Sequence, residues 1–288
     1  MKCIVFAYSQ LGYDCLKFII EKTNHEVCLV VTHENNPQEE IWFGSVEELA
    51  STHDIPVYKP SSLKEEAVQN YILQFKHDVL FSFYYRMMIP SSIFEHPPLG
   101  AYNMHGSLLP KYRGRCPVNW SILNGEKETG VTLHEMVTKA DQGDIIAQKS
   151  ISISCNDTAG ILTAKMNLLA VEILEEHIDL IAQRKAIKTP QNHSEATYYG
   201  GRKPENGQID WSWSPQKIAD LIRALQPSPQ YPPAYGFIHG EKIFFKKGID
   251  VTYLSQDYPL QGKDEYGIYQ IVQCGSEMNQ AIKLYLQD

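Results

Sequence analysis

The chain has no long apolar run: nowhere does it approach the roughly 20 consecutive apolar residues of a membrane-spanning helix. The opening Met1-Lys-Cys-Ile-Val-Phe-Ala-Tyr8 is too short for a signal peptide and reads as a first strand. It also has no basic stripe. The net charge is −8, and the densest basic stretch, Lys111 to Arg115, is short. Proteins that grip phosphate backbones draw most of their affinity from such stripes, so neither a nucleic-acid partner nor a membrane surface is expected. The six cysteines (Cys3, Cys15, Cys28, Cys116, Cys155 and Cys274) include no Cys-x-x-Cys pair. That argues against a zinc knuckle or a dithiol centre, and no metal is expected. Their scatter reads as reduced thiols in a cytoplasmic protein. Gly and Pro are not in excess, which excludes fibrous and low-complexity classes.

What the chain does have is core material: 43% of its 288 residues are hydrophobic, enough for one large domain and one smaller one. Cys3 to Ala7 is a continuous apolar run, as expected for a strand buried on both faces. Ser9 to Lys22 follows at helical spacing, with Leu11, Cys15, Phe18 and Ile19 on one stripe. Val27–Thr32, Asp78–Phe83 and Leu99–His105 read as further strands. Ser45–His53 and Ser62–Phe75 read as helices opened by serine, the first with Glu48 three residues on in a capping-box pattern. Alternating strands and helices imply a mostly parallel sheet with helices on both faces, a Rossmann-like α/β fold. The turn Tyr8-Ser-Gln-Leu-Gly12 has one glycine where a dinucleotide fingerprint has three, so an NAD site is not expected.

Val131–Met136 and Ile145–Ile153 read as strands, and Thr158 to about Ala182 as a long helix. Lys185 to Asn206 is polar, with prolines and glycines. A catalytic domain over 1–186, a linker over 187–206 and a C-terminal domain over 207–288 are expected. In the last, a helix from Ser214 to Leu225 precedes Pro-Ser-Pro and Tyr-Pro-Pro turns. Short strands at Ala234–Ile238, Lys242–Lys247, Ile268–Gln273 and Ala281–Tyr285 then suggest a small barrel.

One segment carries chemistry: Asn103-Met-His105-Gly-Ser107-Leu-Leu-Pro110-Lys-Tyr-Arg113-Gly114-Arg115-Cys-Pro117. It begins at the carboxyl end of an expected strand, where open α/β sheets bind ligands. Asn103 and His105, two apart on an extended chain, project to the same side. Lys139-Ala-Asp141-Gln-Gly143, between two expected strands, offers a carboxylate. These residue types suit acyl transfer to an amine. An imidazole takes the amine proton and returns it to the leaving nitrogen. A fixed amide stabilises the oxyanion. An aspartate beside the imidazole stabilises its protonated form and fixes its tautomer. Spacing alone leaves a structural role for the histidine equally open.

Asn103-x-His105-x-Ser107-Leu-Leu-Pro110-x-Tyr-Arg113-Gly114, with Asp141-x-Gly143 downstream, resembles the signature of the 10-formyltetrahydrofolate-dependent formyltransferases. The resemblance implies a catalytic set of Asn103, His105 and Asp141, with 10-formyltetrahydrofolate as co-substrate and no metal. It is strongest to the formyltransferase domain that acts on UDP-4-amino-4-deoxy-L-arabinose, through segments such as Phe81-Ser-Phe-Tyr-Tyr-Arg86 and Glu128-Thr-Gly-Val-Thr-Leu-His134. It covers about the first 200 residues well and weakens across the C-terminal domain, where the family has an oligonucleotide-binding-like (OB-like) barrel. By the same resemblance the folate would lie against Met87, Met88 and Ile89 and against Val137, Thr138, Lys139, Ala140 and Asp141, with Arg115 nearby.

The acceptor implied is the amine of a UDP- or dTDP-linked 4-amino sugar, in bacterial surface polysaccharide or lipopolysaccharide synthesis. Tyr8, Tyr84, Trp120 and Tyr199 are aromatic candidates for the base. Arg113, Arg115 and Arg202 are candidates for the diphosphate, and Ser107 is a further acceptor-side candidate. The alternatives are a methionyl-tRNA formyltransferase, which would demand basic surface where Glu34 to Glu40 carries acids, and a formyltetrahydrofolate hydrolase. The sequence is compatible with a homodimer.

Overall fold

The computed structural model describes residues 1–37, 41–226, 233–251, 261–265, 267–275 and 281–286. The chain forms two compact units. The first is Met1–Gly114 with Gly130–Ile151 and Lys165–Tyr198; the second is Arg115–Thr129 with Ser152–Ala164 and Tyr199–Asp288. No helix among the described residues is long and apolar enough to cross a membrane.

In chain order the elements begin with β1 (Lys2–Ala7), α1 (Ser9–Lys22), β2 (Glu26–Val31), α2 (Val46–Thr52), β3 (Val57–Tyr58), α3 (Glu66–Leu73) and β4 (Val79–Phe83). Then come α4 (Ser91–Phe94), β5 (Ala101–His105), β6 (Arg113–Gly114), α5 (Pro117–Leu123), β7 (Glu128–Glu135), β8 (Ile145–Ser152) and α6 (Ala159–Ala182). The main sheet has seven strands in the order β3-β2-β1-β4-β5-β7-β8. It is parallel from β3 to β5, and β7 then runs antiparallel to β5. The mostly parallel sheet and its helices are the α/β architecture read from the sequence.

The buried strands form where apolar residues run without alternation: all five residues of β4 are buried. The core of this unit joins Ile4, Phe6, Leu29, Val31, Leu80 and Ile89. Helix α1 has the expected bounds, and its buried stripe is Leu11, Cys15, Leu16 and Ile19, with Phe18 only half-buried. Helix α2 is capped as its pattern suggests, the Ser45 hydroxyl accepting from the Glu48 N–H at 3.1 Å. Helix α3 departs from expectation and starts at Glu66, not Ser62. The Ser62 hydroxyl accepts from the Lys64 N–H, two residues on, which makes a local turn instead of a helix cap.

The chain continues through β9 (Tyr198–Tyr199), α7 (Pro215–Ala224), β10 (Ala234–Ile238), β11 (Glu241–Val251), β12 (Gln261–Asp264), β13 (Gly267–Gln273) and β14 (Ala281–Leu286). The last five strands form an antiparallel sheet in the order β10-β11-β14-β13-β12, the small barrel-like domain. Ile218, Leu221 and Ile222 of α7 pack with Phe245, Ile282 and Leu284 of this sheet. Strand β11 runs to Val251, beyond the Lys247 expected, and polar β12 (Gln-Gly-Lys-Asp) was not anticipated. Residues 227–232, with most of the Pro-Ser-Pro and Tyr-Pro-Pro turns, lie outside the described residues, as do 38–40 of the acidic stretch.

Candidate active site

Asn103 and His105 stand two apart on β5 and share a face of the sheet. In the antiparallel pairing, His134 of β7 sits directly opposite Asn103, so it joins that face. Asn103 is half-buried, and His105 and His134 are buried. The Nδ1 of His134 lies 2.8 Å from the Glu135 carbonyl oxygen. A carbonyl only accepts, so Nδ1 carries the proton. Nε2 therefore presents a lone pair, which accepts from Asn103 Nδ2 at 3.2 Å. Burial and the neighbouring His105 and Arg113 hold the His134 pKa down at about 4 against the pull of Asp141, so this ring is neutral near pH 7. His134 was not singled out as a site residue in the sequence; only its strand was.

The same reasoning orients His105. Its Nε2 lies 2.8 Å from the Tyr112 carbonyl and must donate to it. In the neutral ring Nδ1 then holds the lone pair, and it faces Asp141 Oδ1 at 3.6 Å, beyond a direct hydrogen bond. Asp141 Oδ1 also lies 3.7 Å from His134 Nε2. The other oxygen, Oδ2, accepts from the Gly114 N–H at 2.8 Å. The structure thus brings Asn103, His105 and Asp141 together around one point and adds His134.

Two irregular segments make this convergence. Tyr112 and Asp141 both have left-handed backbones, at φ +60° and +58°. Such conformations are costly for residues with side chains and cluster at functional sites. The loop after β5 is clamped from β7: the Thr132 hydroxyl donates to the Ser107 carbonyl at 2.6 Å and accepts from the Leu109 N–H at 3.2 Å. Ser107 is fully buried, with its hydroxyl donating to the Lys111 carbonyl at 2.7 Å. Arg113, expected to meet a diphosphate, is only 1% exposed. Its guanidinium is directed instead at Gln191 Oε1, the Tyr198 hydroxyl and His193 Nδ1.

The residues expected at the folate divide by environment. Met87 and Ile89 pack into the core of the first unit. Met88 between them is 70% exposed, and Val137 is 42% exposed. Thr138, Lys139 and Ala140 are exposed too. Met88 and Val137 thus each present an exposed apolar side chain, a surface against which a flat heteroaromatic ring can pack.

Tyr8 is buried, its ring under the Arg86 guanidinium at 4.6 Å and edge-on to His33 and Phe43. Tyr84 is 43% exposed. In the second unit, the Trp120 ring packs with Tyr199, at 5.1 Å between ring centres, and with the Arg202 guanidinium, at 4.9 Å from its ring centre. Trp120 Nε1 donates to the Gly200 carbonyl at 3.0 Å, and the Tyr199 hydroxyl accepts from Asn124 Nδ2 at 2.8 Å. Arg202 is buried and donates to the Asn206 carbonyl, whereas Arg115 is exposed.

Residues 1–178 match the model of the formyl transferase family, and residues 202–281 match the model of the formyl transferase C-terminal domain. Among solved structures, the chain is similar to WlaRD, a sugar 3N-formyl transferase crystallised in the presence of dTDP and 5-N-formyl-THF. Identity is 22%, coverage 100% of this chain and 98% of that one, and the TM-score 0.75. It is also similar to an N-formyltransferase from Helicobacter canadensis in complex with folinic acid and dTDP-3-aminofucose, at 21% identity, 99% coverage of both chains and a TM-score of 0.73. A 4-N formyltransferase from Francisella tularensis matches at 25% identity over 84% of this chain and 95% of that one, with a TM-score of 0.66. The first two matches, at their low identity, establish the fold; the family models, covering most of the chain, establish that it belongs to the formyl transferase family.

Proposed function

We propose that the chain transfers a formyl group from 10-formyltetrahydrofolate to the amine of a nucleotide-linked amino sugar, in the cytoplasm, for bacterial surface polysaccharide synthesis. The observation that carries the reading is the convergence of the Asn103 amide, the His105 Nδ1 and the Asp141 carboxylate on one face of β5. The sugar-nucleotide acceptor is supported by relatives crystallised with dTDP and with dTDP-3-aminofucose, and by the net charge of −8. A tRNA partner would want basic surface instead.

In this mechanism the amine attacks the formyl carbon, and a new C–N bond forms as the carbonyl electrons move onto oxygen. Asn103 Nδ2 spends one N–H on His134 and has a second with which to stabilise that oxyanion. His105 takes the amine proton at Nδ1, because its Nε2–H is committed to the Tyr112 carbonyl. Asp141 stabilises the imidazolium so formed. The bond from the formyl carbon to the folate nitrogen then breaks, and His105 returns the proton to that nitrogen. Met88, Val137 and the 137–140 backbone would hold the donor.

The test is a panel of acceptors assayed with the folate donor: UDP- and dTDP-linked 3-amino and 4-amino sugars, with methionyl-tRNA alongside. A formamide product on one or more amino-sugar nucleotides is expected. Formylation of the tRNA and of no sugar would overturn the acceptor assignment.

A further inference from the structure

Segment 191–198, polar and read from the sequence as part of a linker, makes a dense set of contacts with both loops of the candidate active site. Gln191 is 6% exposed. Its Nε2 donates to the carbonyls of Asp141, at 2.9 Å, and of Gly143, at 2.7 Å. Its Oε1 accepts from Arg113 Nε at 3.1 Å and Nη2 at 2.5 Å. Both ends of the amide are thus occupied, which leaves one orientation for it. The Tyr198 hydroxyl accepts from Arg113 Nη1 at 2.6 Å and from Gln142 Nε2 at 2.8 Å. All three residues of the 141–143 turn are therefore held from this one segment.

The segment grips the other loop as well. The Tyr112 N–H donates to the Thr197 hydroxyl at 2.8 Å, and the Arg113 N–H donates to the Thr197 carbonyl at 2.9 Å. Tyr112 supplies the carbonyl on His105 Nε2, and the turn supplies the carboxylate facing His105 Nδ1. Both ring nitrogens of His105 thus meet groups whose backbones this segment anchors. A buried guanidinium is expensive unless its N–H groups are paired, and Arg113 is paired with three side chains.

We propose that Arg113, Gln191 and Tyr198 form a positioning strap that holds the Tyr112 carbonyl and the Asp141 carboxylate against His105. The chemical step then depends on residues that touch neither substrate. The inference rests on the reading that His105 and Asp141 carry formyl transfer.

The experiment compares Gln191→Glu, Gln191→Leu, Tyr198→Phe and Asp141→Asn by steady-state and single-turnover kinetics, with rates taken per folded molecule. Gln191→Glu keeps an acceptor for Arg113 and loses the N–H donors to the turn. Because a 1 Å misplacement can cost about 100-fold, the two Gln191 variants should lose about 10- to 100-fold in kcat. KM for both substrates should stay within about threefold, since uniform binding is untouched. Tyr198 is 59% exposed, so Tyr198→Phe should fold normally and still lose kcat several-fold. It decides the matter if the Gln191 variants do not fold. A purely structural role would lower the thermal midpoint and leave kcat per folded molecule unchanged. A kcat within twofold of wild type in Tyr198→Phe and in every folded Gln191 variant would overturn the strap. Full activity of Asp141→Asn would overturn the underlying site reading instead.

Discussion

The Asn103 amide donates to the lone pair of His134 Nε2 across the β5–β7 pair, 3.2 Å apart, and the His134 tautomer that allows this is set by the Glu135 carbonyl. An amide flipped end for end would present its oxygen to that lone pair, and two acceptors repel. His134 thus decides which end of Asn103 faces the reacting carbonyl. Replacing it with Leu removes this control and should lower kcat about 10-fold or more, a part of the 10²–10³ that losing an oxyanion donor costs. His134→Gln, whose carbonyl can accept from Asn103, should recover most of the rate. Equal kcat in His134→Leu and the wild type would refute the role.

The reacting groups themselves are separable by kinetics. His105→Ala and Asp141→Asn should abolish formyl transfer while the circular dichroism spectrum stays that of the native fold. Asn103→Ala should lower kcat by about 10²–10³ and leave the donor KM close to wild type. A collapse of donor affinity with kcat retained would mean that Asn103 binds the folate instead of stabilising the oxyanion.

His33, half-buried, and His134, buried, make the fold sensitive to acid. Burial, helped by Arg86, pushes the His33 pKa down to about 4, and His134 sits at about 4 as well. His33 is stacked on Tyr85 at 4.1 Å between ring centres and accepts the Arg86 N–H at 3.0 Å. An unfolded imidazole protonates near pH 6.5. Between about pH 6.5 and 4 the unfolded chain therefore binds more protons than the native one, and stability falls as pH drops through that window. The urea midpoint should be lower at pH 5 than at pH 7. In His33→Gln, which keeps an acceptor for Arg86, the decline should be smaller. An identical pH slope in the variant would contradict the assignment.

How much of this the sequence disclosed depends on the range of the contacts. Apolar runs and helical spacing are local properties, and β1, α1, β4 and β10 lie close to where they place them. Asn103 and His105 also share a face by local geometry alone. His134 was out of reach because its place opposite Asn103 depends on β7 running antiparallel to β5, a pairing across 31 residues. Arg113 read as an anion ligand because charge is visible in a sequence and burial against Gln191, 78 residues away, is not. Segment 187–206 has the composition of a connector, and only its long-range partners distinguish Gln191 and Tyr198 within it. The Ser62 misreading was of another kind: a serine can cap a helix or close a turn, and the local pattern serves both.

Neighbouring residues in the loop after β4 should respond oppositely to truncation. Ile89 is 5% exposed in the core, so Ile89→Ala should cost about 2–5 kcal/mol of stability, read as a lower urea midpoint. Met88 is 70% exposed, and Met88→Ala should change stability by no more than about 0.5 kcal/mol. If Met88 covers the donor ring, its loss should appear as a raised KM for the folate with kcat little changed. A Met88→Ala enzyme with the wild-type donor KM would place the folate elsewhere.

The turn that carries Asp141 closes through Gly143, where the backbone of Glu135 leaves no room for a side chain. A Cβ on Gly143 would stand 2.0 Å from the Glu135 carbonyl oxygen and 2.8 Å from its carbon. Both atoms belong to the end of β7, and the Glu135 N–H is bonded to the Asp144 carbonyl at 2.9 Å. Neither can move without opening the β7–β8 connection. Gly143→Ala should therefore shift the turn by more than the 1 Å that typically costs about 100-fold in rate. It should also weaken the Gln191 contact with the Gly143 carbonyl. The expected result is a folded protein with a lowered thermal midpoint and kcat reduced about 100-fold. Gly200→Ala serves as the control, because a Cβ there meets nothing within 4 Å. Wild-type kcat in Gly143→Ala would refute the dependence of the rate on the exact position of this turn.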